Sequence, residues 1–114
     1  MSYKGIELCE ENGKVAVLIS YGFGAGWSSW NRESLAYDKN VVELFDKYPP
    51  QQNKTGLKQI QNELEALGYK NVYMGGYNDI KKEWIEKGVP FRIDEYDGAE
   101  SLQTLDDLNL IQFD

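Results

Sequence analysis

Along the chain, apolar positions fall into blocks of different period. "KVAVLIS" at 14–20 is a continuous β-branched run, the pattern of a strand buried on both faces. It follows the turn signal "ENG" at 11–13, so Ile6 and Leu8 are predicted to lie on a preceding strand paired with it through Asn12-Gly13. In "SLAYDKNVVELFDKY", Tyr37, Val41, Leu44, Phe45 and Tyr48 share one helical face, and Pro49-Pro50 end the helix. In "TGLKQIQNELEALG", Leu57, Ile60, Leu64 and Leu67 recur at helical spacing. Thr55 or Asn53 can cap that helix and Gly68 can close it.

Beyond it the period shortens. "YKNVYM" at 69–74 reads as a strand broken by Gly75 and Gly76, and "KEWIEKGVPFRIDEYD" as two strands around "KGVP". Phe91, Ile93 and Glu95 then share one face, with Arg92, Asp94 and Tyr96 on the other. "DGAES" turns the chain, and "LQTLDDLNLIQF" is read as a short strand followed by an acidic tail. Late strands joined by short turns argue against a doubly wound sheet. The expected fold is one α+β domain over 1–114, its sheet mixed or mostly antiparallel, with two helices on one face.

Charge narrows the partners. Twelve basic residues against nineteen acidic ones give a net charge of -7. From Ile93 to Asp114 there are seven acids and no lysine or arginine, which disfavours nucleic acid. No apolar run is long enough to span a membrane and no secretory signal follows Met1, so a cytoplasmic protein is expected. One cysteine, Cys9, fits a reducing compartment, and the neighbouring Glu10 and Glu11 disfavour its thiolate. With no histidine, the commonest general base and zinc ligand is missing. Ser28 and Ser29 therefore lack an activating histidine, no spacing favours a Ser-Lys arrangement, and neither a catalytic residue nor a cofactor or metal is expected.

Candidate chemistry concentrates in "YGFGAGWSSWNRES" at 21–34. Gly22, Gly24 and Gly26 follow a strand, but G-x-G-x-G is neither a dinucleotide fingerprint nor a Walker loop. Such a loop can still form an anion-binding nest, with Ser28, Ser29 and Asn31 adding polar groups and Arg32 a cation. Trp27 and Trp30 either stack on a ligand or partner, or fill the core around tight glycine turns. Arg32 and Arg92 are the only arginines, and a small anionic, nucleotide-like ligand between them is one reading. The plainer one pairs Arg92 with Asp94 or Glu100, and Arg32 with Glu33. Glu95, Asp97 and Glu100 resemble a weak cation site around what is first of all a turn. Tyr21 or Tyr96 is a proton donor only if buried beside positive charge.

Taken together, "VLISYGFGAGWSSWN", "LAYDKNVVEL" and "PFRIDEYDGAES" resemble a family of small, largely uncharacterised proteins of bacteriophages and prophages of Gram-positive hosts. The resemblance implies a bacterial host cytoplasm and favours binding over catalysis. The leading expectation is a non-enzymatic protein that engages a host protein through Gly22, Gly24, Gly26, Trp27, Ser28, Trp30, Asn31 and Arg32, with Arg92 and Tyr96 nearby. A small anionic ligand or self-association is the alternative, and the fifteen aromatics suggest a homodimer that shares some of them.

Overall fold

A computed structural model describes residues 2–22, 26–50, 54–103, 111 and 113. Its centre is the apolar run at 14–20. This strand, β4 (Lys14–Ser20), follows three short strands, β1 (Ser2–Tyr3), β2 (Ile6–Glu7) and β3 (Glu10–Glu11). Helices α1 (Lys39–Lys47) and α2 (Lys54–Ala66) come next, then β5 (Ile80–Glu86), β6 (Arg92–Tyr96) and β7 (Ala99–Gln103). The fold is α+β, as expected. β3, β4 and β5 form one antiparallel sheet, β1–β2 and β6–β7 are antiparallel hairpins, and both helices pack against β4.

β4 is buried on both faces because the alternate side chains of its continuous apolar run each meet a separate cluster. Ala16 and Leu18 join Val41, Phe45, Ile60 and Leu64 on the helix side. Val15, Val17 and Ile19 join Leu8, Tyr37, Phe91 and Phe113 on the other. Each large apolar side chain removed from water in this way contributes about 1.5–3 kcal/mol. β5 pairs with the whole of β4, Lys14 opposite Glu86 through Ser20 opposite Ile80.

The turns fall where expected. Asn12 and Gly13 both take positive φ (53° and 77°), as do Asp97 and Gly98 (52° and 87°), the pairing that two-residue hairpin turns require. Asp38 caps α1 by accepting the Asn40 N–H at 2.9 Å. Gly68 closes α2: the Tyr69 N–H donates to Leu64 C=O at 2.9 Å and the Gly68 N–H to Glu65 C=O at 3.0 Å. Asn53 and the Thr55 side chain lie outside the described residues.

Several elements differ from expectation. Glu10–Glu11, not Ile6 and Leu8, pairs with β4 across the Asn12 turn, while Ile6–Glu7 folds back on Ser2–Tyr3. Leu67 lies past the end of α2 and is exposed, outside the stripe of Ile60 and Leu64. β5 and β6 flank "KGVP" but pair with β4 and β7 rather than with each other. Residues 69–74 form no strand. There, Asn31 takes the part of a neighbouring strand: its Nδ2 donates to Tyr73 C=O at 3.0 Å and its Oδ1 accepts the Tyr73 N–H at 2.8 Å. At the C-terminal end, Ile111 bridges Phe91, and both Ile111 and Phe113 are buried, so these two belong to the second core rather than to an acidic tail.

Candidate functional site

The glycine–tryptophan loop leaves the end of β4 and runs between the 75–79 segment and the β6–β7 hairpin. Its two described glycines, Gly22 and Gly26, answer to crowding. A Cβ on Gly22 would lie 2.2 Å from Asp79 Oδ2, and one on Gly26, whose φ is +131°, would lie 2.6 Å from the Trp30 ring. Gly24 lies outside the described residues. Past Gly26, a 3-10 turn at Ser28–Trp30 and a second at Glu33–Ala36 lead into α1.

The loop does gather backbone N–H groups around an anion, but they are not the successive glycine amides expected of a nest, and the anion comes from the protein itself. On the hairpin, Glu95 and Glu100 stand opposite each other and so share a face. Glu100 is 2% exposed. Its Oε1 accepts the Ser20 N–H at 3.0 Å. Its Oε2 accepts the Trp27 N–H at 2.9 Å, the Ser29 N–H at 3.0 Å and the Ser29 hydroxyl at 2.5 Å. The amides are therefore those of Ser20, Trp27 and Ser29 rather than of successive glycines. A carboxylate of the chain's own occupies them, which takes the place of the external anion read from the sequence. Hydrogen bonds to a charged acceptor are worth about 1.5–3 kcal/mol each, and they offset the cost of burying the carboxylate.

The two tryptophans part company. Trp27 is fully buried, edge-on to Phe45 at 5.1 Å, and its Nε1–H donates to Leu35 C=O at 3.1 Å. Trp27 is thus a core residue, out of reach of a partner. Trp30 is 42% exposed. Its indole lies 5.1 Å from the ring of Tyr73, itself 39% exposed, and its Nε1–H donates to Glu95 Oε1 at 2.6 Å. That bond, with the Gly98 N–H at 2.9 Å, holds the Glu95 carboxyl below the ordinary range. Asn31 ties the loop to the 69–74 segment, since the Nδ2 that reaches Tyr73 also donates to Trp27 C=O at 2.8 Å. Trp30, Asn31 and Tyr73 therefore form one braced surface. Tyr73 carried no signal in the sequence, because its place beside Trp30 depends on a contact across 42 residues.

The arginines are not brought together. Arg92 bonds Asp94 at 2.9 Å and lines a cavity of about 180 Å³ with Ser28, Ser29, Glu33 and Ile93. Arg32 lies over the Tyr69 ring at 5.3 Å and lines a different cavity with Ser34 and Asp38. Tyr96 is exposed and projects from the hairpin face opposite Glu95. Glu95 and Glu100 turn to loop donors instead of converging with Asp97. The Tyr21 hydroxyl donates to Glu83 at 2.8 Å, and partial burial followed by that carboxylate pushes its pKa up to about 12, so it is a poor acid near neutral pH. Burial likewise pushes the Cys9 thiol up. Among the described residues, no helix is long and apolar enough to cross a membrane.

Comparison of the chain with family models, with curated proteins and with solved structures finds no match.

Proposed function

We propose that the protein is a non-enzymatic binding protein that engages a partner protein through the surface built by Trp30 and Tyr73. One observation supports this reading above the rest. Two large aromatic rings lie against each other, tilted by 41° and half-exposed, held from behind by Asn31 and from the side by Glu95. Aromatic anchors dominate binding energy at protein interfaces, and rings already fixed before binding lose little entropy on contact. The resemblance to small phage proteins makes a bacterial host protein the partner class to test, in the host cytoplasm. A net charge of -7 speaks against a nucleic-acid partner. A nucleotide-like ligand has less support, because the cavity beside Arg92 holds about 180 Å³, below the roughly 300–1,000 Å³ of ordinary ligand sites.

The test is affinity capture from host lysate with the wild type and with Trp30→Ala and Tyr73→Ala, alongside thermal melts of each. A host protein retained by the wild type and lost by both variants, whose melting stays near that of the parent, supports the reading. Equal retention by all three contradicts it.

A further inference from the structure

The outer edge of β5 is a second surface, and it does not depend on the aromatic one. Backbone direction alternates along a strand, so hydrogen bonds already made show which groups remain on the edge. The Ala16 N–H donates to Cys9 C=O at 3.0 Å, so even-numbered residues of β4 face β3. Odd-numbered ones face β5, in agreement with the Tyr21 N–H to Asp79 C=O bond at 3.2 Å and the Lys87 N–H to Gly13 C=O bond at 3.1 Å. With Val15 opposite Ile85, the odd residues of β5 point inward. The N–H and C=O of Lys82 and Trp84, and the N–H of Glu86, then point away from the sheet. Among the described residues no strand pairs with that edge. Lys81, Lys82 and Glu86 are exposed along it, and Trp84 is half-buried.

An open edge of this length invites another strand, and charge normally keeps strangers off. Here the charges suit a copy of the same strand. In an antiparallel pair with the two-fold axis at Trp84, the outward groups of Trp84 meet those of its symmetry mate, and Lys82 meets Glu86 of the second chain twice over. Lys82 is already oriented, bonded to Asp46 at 2.8 Å and lying over the Trp84 ring at 5.4 Å. Lys81 falls opposite Lys87 of the second chain, whose ammonium is held by Glu10. Other registers fit less well. An axis at Lys82 sets lysine against lysine, one at Glu83 sets glutamate against glutamate, and one at Ile85 runs Lys82 past the strand end to Gly88. We infer that two chains associate edge to edge through antiparallel β5 strands, with Lys82–Glu86 pairs across the two-fold axis.

The test is sedimentation equilibrium across a concentration series for the wild type, Lys82→Glu, Glu86→Lys and the double swap. The expected result is a dimer of the 13.1 kDa chain. Each single swap, which turns two opposite-charge pairs into like-charge pairs, should weaken it by about tenfold or more, and the double swap should restore it. Amide exchange supplies a readout that needs no variant. The Lys82, Trp84 and Glu86 amides should slow as concentration rises, while exposed amides elsewhere do not. A chain that stays monomeric at the highest soluble concentration overturns the inference. So does a dimer that both single swaps leave unchanged, or one whose Lys82 and Trp84 amides exchange as they do in the monomer.

Discussion

On the helix side of β4, Ala16 and Leu18 meet Ile60, Leu64, Phe45 and Trp27, and nearly every contact is apolar. Where β4 ends, the chain meets a different kind of neighbour. Ser20, Trp27 and Ser29 converge on the single buried carboxylate of Glu100, and Trp30 leans on Glu95 beside it. The first region is held by area removed from water, which is tolerant of direction. The second is held by directed hydrogen bonds, which fail together if one partner is lost. Half-exposed side chains cannot be fixed by burial alone, so directed bonds from behind and from the side are what holds Trp30 and Tyr73 in place.

The sharpest contrast is between the two tryptophans. Trp27→Ala should cost about 3–5 kcal/mol in chemical denaturation, as expected for a large buried ring. Trp30→Ala, removing a half-exposed ring, should cost under about 1 kcal/mol. Comparable losses at both positions would erase the distinction between core and surface. Next in size is the pair on α2. Leu64→Ala should cost about 2–5 kcal/mol, whereas the exposed Leu67→Ala should stay within about 0.5 kcal/mol. A Leu67 variant as damaging as the Leu64 one would place the end of the helix wrongly.

The smallest expected effect is a titration. The Glu95 carboxyl is depressed by the Trp30 indole and the Gly98 N–H. Its contribution is therefore fully present above the unfolded carboxyl value, ordinarily about 4.3, and is lost as pH falls through the lower folded value. In nuclear magnetic resonance, the Trp30 Nε1–H signal should move in that acid window. Trp30→Phe, which lacks the donor, should shift the Glu95 midpoint upward. An unchanged midpoint would remove this bond from the description.

Much of the apolar region was legible in the sequence, because its signals are local. The β-branched run of β4, the spacing of Ile60 and Leu64, and the Asn12-Gly13 and Asp97-Gly98 turns each declare themselves within a few residues. The failures share a cause in distance. "YKNVYM" has the composition of a strand, yet Asn31, far away in sequence, supplies the backbone partners of Tyr73. Glu100 looks like one more acid near a turn, and only the return of the hairpin to the loop buries it. Ile111 and Phe113 did carry a signal, apolar residues two apart, but the acidic composition around them pointed the other way. The loop was legible as a place for an anion, but neither the amides that bind it nor the anion itself was, since nothing local names Ser20 and Glu100 as partners.

The measurement that bears most directly on the loop is amide hydrogen exchange of the wild type against Glu100→Gln, a change that keeps the size of the side chain and removes its charge. If Glu100 holds the loop, the Ser20, Trp27 and Ser29 amides are protected in the wild type. They should lose protection together in the variant, while the Val17 amide in the middle of β4 exchanges as before. Unaltered protection of those three amides in Glu100→Gln would contradict a loop held by that carboxylate.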